Sequence, residues 1–293
     1  MRPTDSKPDV VIVGAGIAGS ALAMSLAGFG HSVMLLEKST VHVDRVRGEF
    51  IVPWGVAEAR ALGILDVLEN AGANYTVRSI PYGEELSPED APNYPVPMDQ
   101  MVPGVQGALN LGHPRICNAL NAAAIAAGAA LLRGVDRLQV RAGLPPRIEF
   151  THSGSNYSLS PRIVIGADGR GSAVARQVGF ERLSDPIHHL LTGLLVDDFG
   201  DWPHDEQSMG VDGDLGFYIF PQGGGRSGFT PPTVSIGATG SPATARSNDF
   251  CRLLTGLRFR TALLSRRPGQ PGPAMAIRTM TSGSNTPWLP ASS

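Results

Sequence analysis

Gly14, Ala15, Gly16, Ile17, Ala18 and Gly19 have the spacing of a turn that holds a diphosphate. Gly14 permits a tight turn, Gly16 has no Cβ and lets phosphate oxygens reach the backbone, and Gly19 lets a helix pack close to the preceding strand. The N–H groups at the start of such a helix, around Ile17 and Ala18, face the phosphates, and the helix dipole favours negative charge there. Glu37 lies eighteen residues after Gly19 and is followed by Lys38. A carboxylate at that distance accepts hydrogen bonds from adenosine ribose hydroxyls and disfavours a 2′-phosphate. These residues describe a dinucleotide site without choosing between NAD and FAD.

Three later groups favour FAD. Arg45 and Arg47 offer permanently charged, bidentate contact to a pyrophosphate, the alternative being a solvated basic loop. Arg115 follows Pro114 at the start of an alanine-rich stretch. A cation in a first helical turn opposes the dipole and so answers an anion, unless it is an ordinary surface arginine. Asp168 and Gly169 end an apolar run. The carboxylate is placed to accept from a cofactor hydroxyl, and the glycine allows close backbone approach.

The elements that carry these groups follow from periodicity. Residues 9–13, β-branched from Val10 to Val13, read as a strand buried on both faces, residues 17–29 as a helix closed by Gly30, and residues 32–36 as a second parallel strand. One helix is expected over residues 57–68 and another over 116–127. Short strands over 138–140, 147–150 and 157–159 read as a β-meander, and residues 162–166 as a strand leading to a helix from Ala173.

With these motifs in this order, the chain resembles the group A flavoprotein monooxygenases, the class of p-hydroxybenzoate hydroxylase, over residues 8–265. The resemblance implies an α/β fold: a Rossmann-like FAD-binding domain with a β-meander, plus an inserted mixed-sheet substrate domain. It implies FAD as cofactor, NAD(P)H as cosubstrate, O2, and a small aromatic or otherwise electron-rich substrate hydroxylated through a flavin C4a-hydroperoxide. Asp168 and Arg170 would serve both FAD and NAD(P)H. Rival readings are a flavin-dependent reductase or halogenase, although the halogenase Trp-x-Trp-x-Ile-Pro run is absent. Others are a catalytically impaired FAD- or nucleotide-binding protein and an NAD-dependent dehydrogenase.

The expected domains are residues 1–75 with 102–180 for FAD, residues 76–101 with 181–265 for substrate, and 266–293 as an irregular or disordered tail. Residues 188–196, 216–220 and 234–238 read as strands, the last two joined through the Gly-Gly-Gly-Arg run at 223–226, which is better read as a hairpin turn than as a phosphate cradle. Phe217, Tyr218, Phe220 and Trp202 either line a substrate pocket or pack a core. Residues 251–264 read as a helix. Similar proteins continue into a further Gly-Asp motif beside the flavin, which this chain lacks, so truncation or a shifted reading frame at the C-terminus is the expectation.

Composition sets the remaining bounds. Lys and Arg number 24 against 26 Asp and Glu, which gives no electrostatic reason for a nucleic acid or anionic membrane partner. Cys117 and Cys251 are too few for a disulfide framework, and His188 and His189 lack a ligand cluster, so no metal is expected. The uncharged stretch 10–30 has the hydropathy of a signal or membrane segment, but its glycines fit a buried strand–turn–helix, consistent with a soluble, cytoplasmic protein. No nucleophile or general base stands out, so catalytic residues stay unassigned, as does the oligomeric state.

Overall fold

The computed structural model describes residues 7–43, 50–83, 85–87, 89–183, 190–197, 202–212, 215–223, 233–240 and 277–280. The chain forms two compact units: Met1–Val43, Ala57–Ala71 and His113–Pro186 in one, Asp44–Val56, Gly72–Gly112 and Ile187–Ser293 in the other.

The first unit is built on a parallel sheet of β1 (Val10–Val13), β2 (Val33–Glu37), β8 (Ala130–Arg133) and β12 (Ile163–Gly166), in the order β12-β1-β2-β8. Helix α1 (Ile17–Gly28) connects β1 to β2, and α4 (His113–Ala126) leads into β8. The unbroken apolar run in β1 is explained by burial on both faces. Val11 and Val13 join Met34 and Leu36 in a core with Val140, Ile148, Phe150, Leu159 and Val174. Val10 and Ile12 join Val33 and Leu35 against Ala23 and Ala27 of α1 and Ala124 after the α4 midpoint. Small side chains on both helices let α1 and α4 pack together beside the sheet.

The first core is closed by β9 (Asp136–Arg141), β10 (Arg147–His152) and β11 (Ser155–Leu159), an antiparallel meander. The meander expected from the short runs at 138–159 is therefore present. A short helix, α5 (Ala173–Gln177), follows β12. The apolar stretch 10–30 is β1, the glycine turn and α1, and among the described residues no helix is long and apolar enough to cross a membrane.

The expected single helix over 57–68 is a pair, α2 (Pro53–Ala61) and α3 (Leu65–Asn70). Gly63 adopts a φ of +69°. Its amide donates to the Arg60 carbonyl at 3.0 Å, and the Ile64 amide donates to the Ala59 carbonyl at 2.9 Å. Those two bonds make a helix-ending motif that needs a left-handed residue, and glycine supplies it without steric cost. The helix expected over 116–127 starts three residues earlier, at His113, so Pro114 and Arg115 both lie in its first turn.

In the second unit β3 (Phe50–Ile51), β7 (Ala108–Asn110) and β4 (Asn74–Thr76) form a small antiparallel sheet. A larger mixed sheet contains β5 (Arg78–Tyr82), β6 (Val96–Pro97), β13 (Leu190–Asp197), β14 (Glu206–Asp212), β15 (Leu215–Gln222), β16 (Thr233–Gly240) and β17 (Ile277–Met280), in the order β17-β13-β16-β15-β14-β5-β6. β14 and β5 run parallel, and its other neighbouring strands are antiparallel. β15 and β16 form the antiparallel pair expected of residues 216–220 and 234–238. β17 lies within the stretch read as an irregular tail. Its Ile-Arg-Thr-Met sequence has no apolar–polar alternation, and its pairing with β13 is non-local, which a search for local apolar periodicity does not detect.

Along β15, alternation separates the aromatic residues. Phe217 is buried, and a Cβ on Gly210 would come within 2.6 Å of its ring, so that ring is packed core. Phe220 faces the other way and stacks on Phe50, with ring centroids 5.0 Å apart, and Tyr218 lies beside it. Trp202 donates its indole N–H to the Glu206 carbonyl at 2.8 Å. The helix expected over 251–264, the histidine pair 188–189 and residues 224–226 of the glycine-rich run lie outside the described residues.

Candidate cofactor site

Parallel sheets bind ligands beyond the carboxyl ends of their strands, and the glycine turn leaves β1 at that end. The three glycines play three distinct steric roles. A Cβ on Gly14, whose φ is +102°, would lie 2.4 Å from the Ala167 carbonyl oxygen and 2.9 Å from the Asp168 Cα. A Cβ on Gly19 would lie 1.9 Å from the Gly14 carbonyl oxygen. These two positions are closed by backbone and accept no side chain. A Cβ on Gly16 would meet nothing within 4 Å. Gly16 therefore borders open space, as a position that admits a phosphate must.

Helix α1 begins after Gly16 without a side-chain cap and has no acidic residue in its first turn. The amides of Ile17, Ala18 and Gly19 have no intrahelical acceptor, because the first helical bond runs from the Ser20 amide to the Gly16 carbonyl at 3.0 Å. The positive end of the helix is thus available to an anion.

Glu37 ends β2 beside this turn. Its Oε2 accepts from the Ala15 amide at 2.8 Å and its Oε1 from the Ser39 amide at 2.8 Å. Each oxygen keeps a lone pair for a further donor, such as a ribose hydroxyl. Lys38 is exposed.

The loop after β12 abuts the same turn: the Ala167 amide donates to the Val13 carbonyl at 2.7 Å, and the Ala167–Asp168 backbone fills the space Gly14 leaves. Asp168 is committed to the start of α5. Its Oδ1 accepts from Ser172 Oγ at 2.5 Å, and its Oδ2 from the Ala173 and Val174 amides at 2.6 and 3.1 Å. Burial works to raise its pKa, but the bonds from the Ser172 hydroxyl and from the Val174, Ala173 and Asp168 amides outweigh it and hold the carboxyl below its ordinary value. Gly169, with a φ of +83°, and Arg170 are exposed next to it. Arg115 is exposed on the first turn of α4. Arg45 and Arg47 lie outside the described residues.

Sequence reasoning missed a polar cluster beneath the turn. The Ala15 carbonyl accepts from Ser20 Oγ and from Asn121 Nδ2, both at 3.0 Å, and Asn121 Nδ2 also donates to Ser20 Oγ at 2.6 Å. On its other side, Asn121 Oδ1 accepts from Arg133 Nη2, and His42 Nε2 lies 3.3 Å away. One signal was available. Asn121 is the polar member of the buried stripe Ile116, Cys117, Leu120, Asn121, Ala124 on α4, and a polar group on a buried face has a partner.

Among the described residues no group of three His, Cys, Asp or Glu could hold a metal ion. The geometry is that of an α/β dinucleotide-binding protein: an open glycine turn, a free helix end and a carboxylate at its edge. A family model described as "FAD binding domain" matches residues 7–220, and the chain belongs to that family. Squalene monooxygenase of Mus musculus is 33% identical over 195 residues, 65% of this chain and 33% of that protein. Squalene epoxidase erg1 of Aspergillus fumigatus is 51% identical over 61 residues, 21% of this chain and 13% of that protein. The chain thus spans a third or less of the length of these relatives. Among solved structures, aklavinone-11 hydroxylase in a ternary complex with FAD and aklavinone matches with a TM-score of 0.67 at 22% identity, over 95% of this chain and 54% of that one. PqsL of P. aeruginosa in complex with 2-aminobenzoylacetate matches with a TM-score of 0.65 at 18% identity, over 82% of this chain and 63% of that one. At such identities these structures establish the fold, the α/β FAD-binding fold with its parallel sheet and additional mixed sheet.

Proposed function

We propose that this chain binds FAD and serves an NAD(P)H-dependent monooxygenase acting on a small, electron-rich organic substrate. The observation that carries the reading is the open space at Gly16, bordered by the free amino end of α1 and by the Glu37 carboxylate. In this reading the amides of Gly16, Ile17 and Ala18 hold the diphosphate, Glu37 holds the adenosine ribose, and Arg45, Arg47 and Arg115 supply positive charge. Asp168 keeps the Gly169 segment against the turn through its helix cap. Bound FAD supplies two-electron redox chemistry, with NAD(P)H as electron donor and O2 as oxidant.

The chain's own contribution is binding and orientation. The mixed sheet of the second unit is assigned to the substrate, residues 76–101 and 181–265 being its main part. Aromatic compounds are the substrate class first expected. A carbon–carbon double bond of an apolar polyene is the second reading, favoured by the 33% identity over 195 residues to a squalene monooxygenase.

The test is reconstitution. Purified chain mixed with FAD and freed of excess by gel filtration should keep a flavin absorbance band and oxidise NADPH. Colour without NADPH oxidation supports a flavin-binding chain without turnover. A colourless chain contradicts the cofactor assignment.

A further inference from the structure

Both backbone polar groups of Ala15 are taken up by the protein. Its N–H donates to Glu37, and its carbonyl accepts from Ser20 and Asn121. Ala15 and Ser20 are fully buried and Asn121 is 4% exposed, so these bonds are shielded from water. A trans peptide places its C=O and N–H on opposite sides of the chain. Fixing the Ala15 carbonyl inward onto Asn121 therefore turns the Gly16 amide to the opposite side, away from Asn121, at a residue where a Cβ would meet nothing within 4 Å.

The orientation of Asn121 is dictated by its neighbours. One end meets a carbonyl, which only accepts, and the other meets a guanidinium, which only donates. The cation on Oδ1 polarises the carboxamide and strengthens donation from Nδ2. Arg133 belongs to the end of β8 that pairs with Glu37 of β2, so the charge is anchored in the same sheet that presents the turn.

From this we infer that Asn121, backed by Arg133, is a positioning residue for the diphosphate turn: it aims the Gly16 amide at the ligand without touching it. This inference rests on the reading that the chain binds FAD.

The experiment compares wild type with Asn121→Ala and Ser20→Ala, titrated with FAD by flavin fluorescence and with ADP and adenosine by NMR. FAD and ADP carry the diphosphate and adenosine does not. Asn121→Ala should weaken FAD and ADP about tenfold, the effect of one lost buried hydrogen bond, and leave adenosine within about twofold. Ser20→Ala, which removes one of the two donors to the same carbonyl, should weaken them less, about threefold, and provides the test if Asn121→Ala does not fold. Unchanged FAD and ADP affinity in both variants overturns the inference, as does equal weakening of all three ligands. Failure of the wild-type chain to bind FAD or ADP overturns the cofactor reading and the inference together.

Discussion

Glu37 and Ala15 are joined by a 2.8 Å hydrogen bond from the Ala15 amide to the Glu37 carboxylate, across 22 residues of sequence. The bond fixes the edge of the glycine turn to the end of β2. It also sets where a ribose must lie if its hydroxyls are to reach the remaining lone pairs of the carboxylate.

Replacing Glu37 separates its two duties. Glu37→Gln keeps an oxygen for the Ala15 amide but loses the charge, and FAD affinity should fall about tenfold. Glu37→Ala loses both, and the fall should approach about a hundredfold, the range for hydrogen bonds to charged groups. Fluorescence titration checks both. Equal, unchanged affinities would remove Glu37 from the site.

The glycines should respond in opposite ways. Gly19→Ala puts a Cβ 1.9 Å from a backbone oxygen, and the misfit should cost at least about 1–3 kcal/mol of stability, read by denaturant unfolding. Gly16→Ala meets no atom of the protein. Its unfolding midpoint should match wild type while its FAD affinity drops.

Asp168 should give a pH-dependent contribution to stability. Its folded pKa is lowered, so the contribution is fully present above the unfolded value of about 3.9 and is lost as pH falls through the folded value. Asp168→Ala should cost about 1 kcal/mol at pH 7, as a lost helix cap does. Urea unfolding over a series of pH values from 7 downward should show the gap between wild type and variant narrowing once pH falls below the unfolded value of about 3.9. A gap that stays constant would contradict the capping role.

Gly63 separates α2 from α3 at a φ of +69° with no atom near its missing Cβ. Gly63→Ala should therefore cost about 1 kcal/mol through backbone strain alone. Thermal unfolding tests this, and no change would show that the turn relaxes.

The strand–turn–helix–strand at the amino end was legible because its signals are local: a β-branched run, glycines three and two apart, and a carboxylate at a fixed distance. The meander and the β15–β16 pair were legible for the same reason. The break at Gly63 was not, because a glycine inside a helical pattern reads equally as a tolerated residue or as a cap until the next turn is seen. Asn121 was hidden by distance. Its partners, Ala15 and Ser20, lie more than a hundred residues away, and periodicity says which face is buried but not what waits there. The parallel pairing of β14 with β5 joins residues 206–210 to 78–82 and had no local signature either. Asp168 was legible as the end of an apolar strand, while its acceptance of bonds from Ser172, Ala173 and Val174 was not, because an Asp-Gly pair reads equally as a ligand-facing turn.

The most direct measurement is an equilibrium titration of the apo chain with FAD, run beside Gly16→Val under identical conditions. The expected result is saturable one-to-one binding by the wild type and loss of binding by a variant that unfolds at the same temperature. No saturable binding by the wild type, or equal binding by both proteins, would contradict a diphosphate resting on the backbone at Gly16.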